Sequence, residues 1–408
     1  MNAVQEILDG ESIRISPVYE NPALLPERAE SDWNKPYLNL VLQGVCRQEP
    51  LWLLKKIKEI EKILGREEGP TWAPRAIDID ILYWGNRRFE TSDLQIPHKS
   101  LSERSFVLDP FKDLAPDLKL PHSDQTLHEL ARQHPGHCPL WMAILNITPD
   151  SFSDGGSFLS LSDIDKYLDE IESSVGIIDV GAESTRPNAT PLSWRDEWLR
   201  LEPVLKHLRR RFGERKIKPQ ISVDTRHVEV AGRALELGVS IINDVSGAKS
   251  EGAYDLLKTS ECQYVLTHSL TVPADPKYIL SKSLHALNEI KDWMSEKLRS
   301  FENYGIKSER IILDPGIGFG KDSLQSLFVL RSIDKLFSLP CRFMVGHSRK
   351  SFIDGISSVT PSERDLESLG ISLGLAKKGV DILRVHNPLA HIRAFRGFNH
   401  LWVEESER

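Results

Sequence analysis

From Trp141 onward one plan repeats eight times: a short apolar run, a polar residue at its end, a loop rich in Gly, Pro and Ser, then a stretch of helical spacing. The runs are Met142–Ile147, Ile177–Val180, Gln220–Val223, Ser240–Ile242, Tyr264–Thr267, Ile311–Leu313, Arg342–Val345 and Ile382–Val385. Runs this short and continuously apolar suit strands buried on both faces of a parallel sheet. Eight of them alternating with helices predict a (β/α)8 TIM barrel, whose active site is built at the strand C-termini. The polar residues all fall at that end: Asn146, Gly181-Ala-Glu-Ser-Thr-Arg-Pro, Asp224-Thr-Arg, Asn243-Asp, His268, Asp314-Pro-Gly, Gly346-His-Ser-Arg-Lys and Arg384-Val-His. Asn146 in an apolar strand is costly unless its amide finds partners. It is either a satisfied buried amide or a ligand contact, and the recurrence of the pattern favours the ligand contact.

A chain of 408 residues exceeds one barrel, so a second domain is expected in front. The net charge of −7 offers no global basic field for nucleic acid, and Arg209–Arg211 reads as a solvated helix face. The four cysteines are scattered without a CxxC, which fits a reducing compartment. The longest charge-free apolar run, around Cys138–Ile147, is far short of the ~20 residues of a membrane span. The N-terminus lacks the basic and apolar regions of a signal peptide. The expectation is a soluble cytoplasmic protein with no nucleic-acid or membrane partner.

In the front part, residues 2–8 read as the end of a helix, Ser12–Glu20 and Tyr37–Cys46 as strands, and Pro50–Leu64 as a helix capped by Gly65. Ile77, Ile79 and Ile81 alternate with Asp78 and Asp80, so a strand would place both carboxylates on one face. Such a pair either faces solvent on an edge strand or shares a cation, and hard oxygen ligands suit Mg²⁺ with substrate phosphates. The flanking pattern Trp72-x-Pro-Arg-x-Ile-Asp-Ile-Asp, followed by Pro97-His-Lys-x-Leu-x-x-Arg-x-Phe, resembles hydroxymethyldihydropterin pyrophosphokinase over about Ser12–Leu120. The resemblance implies a small α+β, ferredoxin-like domain that transfers pyrophosphate from ATP to the hydroxymethyl group of a dihydropterin. It implies Mg²⁺ on Asp78 and Asp80, and triphosphate neutralised by Arg75, His98 and Arg104. Tyr37, Asn39, Trp72 and Phe106 would frame the pterin, and Glu61 would fall at a nucleotide-side helix position. The family's first strand, ending in Gly-Ser-Asn, has no counterpart here. The expectation is therefore that the native polypeptide begins upstream, and that the chain as given shows synthase but little kinase activity.

His122–Pro139 carries His122, His128, His134 and His137 without tight ligand spacing, and reads as a surface helix end and linker rather than a metal site. The boundary is placed near Gly136, giving domains 1–135 and 136–408.

In the second domain, Asp224 and Asp314 end buried strands, where a carboxylate needs a donor or cation. A guanidine-like edge, such as the N2/N3 face of a pterin, supplies paired donors. Arg186, Lys350, Arg384 and His386 suit an anion, and Asn146 and Asp150 could add oxygen ligands for Mg²⁺ on a diphosphate. The loops Thr148–Gly156 and Glu183–Thr190 have the composition of lids. Gly316-Ile-Gly-Phe-Gly-Lys has neither Walker A nor GxGxxG spacing and reads as a tight turn presenting Phe319 to a ring.

Leu145-Asn-Ile-Thr-Pro-Asp-Ser-Phe-Ser-Asp-Gly-Gly, Ile178-Asp-Val-Gly-Ala-Glu-Ser-Thr-Arg-Pro, Ile221-Ser-Val-Asp-Thr, Leu313-Asp-Pro-Gly-Ile-Gly-Phe-Gly-Lys and Gly346-His-Ser-Arg-Lys-Ser together resemble dihydropteroate synthase. The resemblance implies condensation of hydroxymethyl-dihydropterin diphosphate with p-aminobenzoate, in a barrel that pairs as a homodimer. The pterin would lie deep on Asp224, Asn243, Asp314 and Lys350, and the diphosphate on Asn146, Arg384 and His386 with Mg²⁺. The p-aminobenzoate pocket would comprise Phe152, Thr185, Pro187, Phe319, Ser348 and Lys350, with Asp154 and Arg186 in the substrate loops. Two other readings compete: a pterin-dependent methyltransferase, which would not need the anion set of Asn146, Arg186, Arg384 and His386, and a non-catalytic pterin-binding barrel.

Overall fold

The computed structural model describes residues 2–21, 23, 33, 35–67, 74–121, 123–147, 160–184, 190–215, 217–281 and 286–401. The chain forms two compact units, one of Met1–Cys138 with Arg396–Arg408 and one of Pro139–Phe395.

Unit 1 contains α1 (Asn2–Glu6), β1 (Asp9–Ile15), β2 (Tyr19–Asn21), β3 (Tyr37–Asn39), β4 (Leu42–Val45), α2 (Pro50–Ile63), β5 (Phe89–Glu90), β6 (Gln95–Ile96), α3 (Ser105–Lys112) and α4 (Leu127–Gln133). The two long strands expected at its front are each divided. β1 and β2 are separated at Pro17, which has no N–H for a ladder. β1 pairs with β4, β2 with β3 and β5 with β6, all antiparallel, so the small α+β unit carries two-stranded sheets. α2 begins with Pro50 in its first turn and turns Leu53, Ile57, Ile60 and Glu61 inward.

Ile77–Ile81 is not the strand expected: it lies in no ladder among the described residues. A side chain has taken the ladder's place, since Ile79 donates its N–H to Glu61 Oε1 at 2.7 Å. The alternation survives without the sheet: Ile81 is buried while Asp78 and Asp80 face outward. The histidine-rich tract also departs from the expectation of a surface element. His128 and His137 are buried, and His137 Nδ1 meets Asp109 Oδ1 at 2.7 Å. Asp109 also takes the Cys138 N–H at 2.8 Å and the Lys112 ammonium at 2.7 Å, so a fully buried carboxylate is matched by three donors.

Unit 2 continues with β7 (Leu140–Asn146), α5 (Leu161–Ile171), β8 (Ile177–Gly181), α6 (Trp194–Phe212), β9 (Gln220–Asp224), α7 (Val228–Glu236), β10 (Ile241–Asp244), α8 (Ala253–Thr259), β11 (Gln263–Thr267), α9 (Ala286–Asn303), β12 (Ile311–Asp314), α10 (Ser323–Arg331), β13 (Arg342–Val345), α11 (Asp365–Lys377), β14 (Ile382–Val385) and α12 (Pro388–Asn399) as far as Phe395. β7 to β14 form a closed, all-parallel barrel in sequence order, with β14 returning to pair with β7. All eight expected runs are strands.

Side chains of period two point into such a barrel. Asp179 therefore shares an interior with Asp224 and Arg384 although it lies two residues before the end of β8. Arg211 is not on the solvated face expected of it: it bridges Asp165 at 2.9 Å and Asp169 at 2.5 Å, joining α6 to α5. Gly316 has φ 68°, and a Cβ there would lie 1.9 Å from the His268 carbonyl oxygen, so the turn after β12 can close only on glycine. Among the described residues no helix is long and apolar enough to cross a membrane.

Candidate active site

Four strands deliver one charged network to the barrel mouth. From β14, Arg384 Nε donates to Asp179 Oδ2 of β8 at 2.6 Å, and its Nη2 donates to Asp224 Oδ2 of β9 at 2.9 Å. From β10, Asn243 Nδ2 donates to the same Asp179 oxygen at 3.0 Å, which leaves Asp179 Oδ1 and Asn243 Oδ1 without partners among the described residues. Gly181 lies between Asp224 and Asn146: a Cβ there would be in ordinary contact with Asp224 Cβ at 3.4 Å and Asn146 Oδ1 at 3.5 Å.

Burial raises the Asp224 carboxyl, Arg384 only partly opposes this, and Asp179 and Glu197 add repulsion, pushing it up to about 7. Burial also raises Asp314, against the opposing pull of Lys350 and of the Gly316 N–H that Asp314 Oδ1 accepts at 2.7 Å. Burial disfavours a charged Arg384, but Asp179 and Asp224 outweigh it and hold the guanidinium charged. Lys350 is brought down to about 8 by burial, with Asp314 pulling the other way. Its ammonium donates to Ile317 O and lies 4.5 Å from the centre of the Phe319 ring, a cation–π contact.

Phe319 is held by Val245, Val272 and Ala274. Ser348 Oγ accepts the His386 N–H at 3.3 Å and meets His386 Nδ1 at 3.0 Å, so the ends of β13 and β14 are tied together. Lys321 lies buried beneath the Phe319 turn, 2.9 Å from His268 Nδ1 and donating to Phe319 O at 3.0 Å. Burial lowers its ammonium to about 7 and His268 to about 3.

The structure thus brings together Asn146, Asp224, Asn243, Asp314, Phe319, Ser348, Lys350, Arg384 and His386. Phe152, Asp154, Thr185, Arg186 and Pro187, with Asp150, lie outside the described residues. Sequence reasoning missed Asp179 and Lys321. A carboxylate inside Ile177-Ile-Asp-Val carried the signal that drew attention to Asn146, whereas nothing in the sequence separates Lys321 from a surface lysine.

In unit 1, Arg66 Nη1 donates to Asp78 Oδ1 at 2.6 Å and pairs with Glu61, while Arg75 reaches Asp78 Oδ2 at 3.3 Å. His98 Nε2 is 4.0 Å from Asp80 Oδ2, and burial lowers its imidazole against the attraction of Asp80. Arg104 lies over the Phe106 ring at 5.7 Å. On β3, Asn39 donates to Asn21 Oδ1 at 3.0 Å, beside half-buried Tyr37. Trp72 lies outside the described residues. Glu61 does not face outward to a nucleotide: it is 1% exposed and committed to Lys58, Arg66 and the Ile79 N–H. Arg66, also missed from sequence, is the bridge between that buried glutamate and Asp78.

No group of three or more His, Cys, Asp or Glu among the described residues could hold a metal alone. Asp78 and Asp80 still fit Mg²⁺, which commonly takes one or two carboxylates and completes its shell with phosphates and water. Asn146 offers one neutral oxygen, a fit only alongside a diphosphate.

A closed parallel barrel with its charged residues on the C-terminal rim defines a (β/α)8 barrel enzyme. Residues 142–386 match the family model described as pterin binding enzyme, and residues 1–116 match that of 7,8-dihydro-6-hydroxymethylpterin-pyrophosphokinase. A folate synthesis bifunctional protein of Chlamydia caviae is 34% identical over 412 residues, covering 96% of this chain and 92% of the relative. One from Arabidopsis thaliana is also 34% identical, covering 88% and 84%. Among solved structures, the Xanthomonas albilineans dihydropteroate synthase with 4-aminobenzoic acid has a TM-score of 0.59 at 30% identity, covering 65% of this chain and 94% of that one. The Anaplasma phagocytophilum enzyme with 6-hydroxymethylpterin-monophosphate has a TM-score of 0.58 at 33% identity, covering 65% and 99%. The chain belongs to the pterin-binding, dihydropteroate synthase family, in the bifunctional form that carries a pyrophosphokinase domain in front.

The Asp224 environment predicts a pH-dependent stability difference. A carboxyl raised from 3.8 to about 7 binds its proton more tightly folded than unfolded, so it stabilises the fold at low pH and loses that contribution as pH rises through about 7. Asp224→Asn, which cannot ionise, should gain on wild type by about 1–3 kcal/mol more at pH 8 than at pH 5, since one pKa unit is about 1.4 kcal/mol. Urea unfolding at both pH values measures this. An unchanged difference would show that Asp224 titrates as an ordinary carboxylate.

Proposed function

We propose that the barrel condenses 6-hydroxymethyl-7,8-dihydropterin diphosphate with p-aminobenzoate to give 7,8-dihydropteroate and pyrophosphate, and that unit 1 is a domain of the ATP-dependent pyrophosphokinase type, the class of enzyme that makes the diphosphate. The observation that carries the barrel reading is the set of buried Asp179 and Asp314 and largely buried Asp224 around Arg384 and Lys350, with Asp179 Oδ1 and Asn243 Oδ1 left to accept hydrogen bonds. The ligands named for the structural relatives, 4-aminobenzoic acid and a hydroxymethylpterin monophosphate, support the substrate assignment.

Asp224, Asp314 and Asn243 receive the donor-rich edge of the pterin. Arg384 has five N–H donors. The carboxylates engage Nε and one N–H of Nη2, so three remain for the diphosphate, beside His386. When the bond from the methylene carbon to the diphosphate oxygen breaks, the oxygen keeps the electron pair and positive charge spreads into the pterin. Three carboxylates against two cations make a fixed environment that favours this charge. Lys350 and Phe319 pre-form one wall for the p-aminobenzoate ring. Its uncharged aniline nitrogen forms the C–N bond and releases its proton to the departing diphosphate or to water, so no strong base is required.

In unit 1, Asp78 and Asp80 are the proposed Mg²⁺ ligands, with Arg66, Arg75, His98 and Arg104 around the triphosphate. Mg²⁺ held there would supply positive charge to neutralise the phosphates. In the barrel Asn146 is the proposed Mg²⁺ ligand at the diphosphate. We also propose that barrels pair as homodimers, a reading supported by α11, where Leu366 is 79% exposed and Gly370 and Gly374 leave open space.

Isotope tracing from labelled p-aminobenzoate and pterin diphosphate should yield labelled dihydropteroate. Asp314→Asn should weaken pterin-diphosphate binding about ten- to a hundredfold, the worth of a charge-assisted hydrogen bond. Unaltered affinity would remove Asp314 from the pterin site. Asp80→Asn should weaken Mg²⁺-dependent binding of a non-hydrolysable ATP analogue at least tenfold, with binding in EDTA unaffected; equal loss in both would rule out a metal role. Sedimentation should give twice the chain mass, and Leu366→Glu should return it to one; a monomeric wild type would end the pairing proposal.

A further inference from the structure

We propose that the Arg349–Asp365 ion pair is a positioning device for the synthase reaction, holding the turn after β13 in the left-handed conformation that presents Ser348 and Lys350 to the site. This rests on the reading above that the barrel mouth is the synthase site. Arg349 has φ 58°, a region that residues with a Cβ rarely occupy. Its polar groups are taken up by the start of α11 and the residue before it. The Arg349 N–H donates to Ser368 Oγ at 3.0 Å, and the Arg349 carbonyl accepts from Arg364 Nη1 at 3.0 Å. Nε and Nη2 form a fork on Asp365 Oδ1 and Oδ2 at 2.6 and 2.8 Å. Ser368 is itself fixed, donating to Arg364 O at 2.6 Å.

The two neighbours of Arg349 look into the site. Ser348 Oγ meets His386, and Lys350 reaches Ile317 O and the Phe319 ring. Asp365 also accepts a hydrogen bond from Asn387 and lies near His386, so the same carboxylate serves the ends of β13 and β14. Relaxing Arg349 to negative φ would re-aim Ser348 and Lys350 together, because they flank the one residue that reverses the chain. The guanidinium engages α11 and so acts through its neighbours: it is a positioning residue, not a catalytic one.

Glycine separates this role from the alternatives, since it adopts positive φ at no steric cost. Steady-state synthase kinetics and thermal melting would be measured for wild type, R349A, R349G, D365N and the R349G/D365N double variant. R349A should lose about tenfold or more in kcat/KM for p-aminobenzoate, the loss expected when a residue with a Cβ must hold left-handed backbone unaided. R349G, which lacks the same guanidinium, should recover most of that loss. D365N should cost more when Arg349 is present than in the R349G background, where only its hydrogen bond with Asn387 remains to be altered.

A merely structural role gives the opposite order, because glycine's extra backbone entropy makes R349G the less stable and less active of the two single variants. R349G as slow as R349A, or D365N equally damaging in both backgrounds, would overturn the proposal. If R349A does not fold, the comparison of D365N with R349G/D365N decides in the same way. A wild type without turnover removes the synthase reading and this inference with it, whereas wild-type turnover with the wrong order of variants removes only the inference.

Discussion

Arg384, held between Asp179 and Asp224, is the interaction on which the barrel mouth depends. Removing one partner of a buried ion pair costs about 3–5 kcal/mol, because the other charge is left in a medium that cannot solvate it. The three residues come from β14, β8 and β9, so the pair spans the barrel interior and needs the closed sheet to exist. The dependence also runs the other way. Three carboxylates ending at one point would repel one another, and the guanidinium with Lys350 is what permits Asp179, Asp224 and Asp314 to be buried together. The fold and the site are therefore one electrostatic problem with one solution.

That solution leaves a deliberate imbalance. Burial brings the Asp224 carboxyl up to about 7, so its charge responds to its surroundings near neutral pH. A cation forming in the pterin would shift Asp224 toward its ionised form, so the environment responds in the direction that stabilises the charge. The walls around it are stiffer. The turn after β12 is fixed by Gly316 against the His268 carbonyl and by Lys321 beneath Phe319, and the turn after β13 by Arg349. Charge adjustment is left to protons while geometry is left to backbone, which is how a site can be both polar and well defined.

The barrel was legible because its signal is repetition. Eight apolar runs of strand length with polar ends leave little choice of architecture, and the boundaries shifted by only a residue or two. Motifs at strand ends identified most of the mouth for the same reason. Asp179 escaped because a carboxylate inside a strand is read as part of the strand. Lys321 and Arg349 escaped because their importance lies in what they touch, His268, Phe319 and Asp365, which are 16 to 53 residues away in sequence or tied to backbone. In unit 1 the alternation of Ile77–Ile81 was correct as a statement about faces and wrong as a statement about sheets. A side-chain carboxylate, Glu61, can satisfy an extended segment's N–H as well as a neighbouring strand, and period two does not distinguish the cases.

Both units place a guanidinium between carboxylates, yet the energetics differ. Asp179 is fully buried and Asp224 nearly so, whereas Asp78, which Arg66 links to Glu61, is about half exposed. Exposed pairs are worth about 0–1 kcal/mol, so Asp78 can exchange Arg66 for a cation at little cost. Arg384 cannot be exchanged on those terms, and an anion at the barrel mouth must use the donors its carboxylates leave over. Burial thus separates two versions of the same pair of groups: a half-exposed carboxylate that can change partners in unit 1, and a buried pair held in place in the barrel.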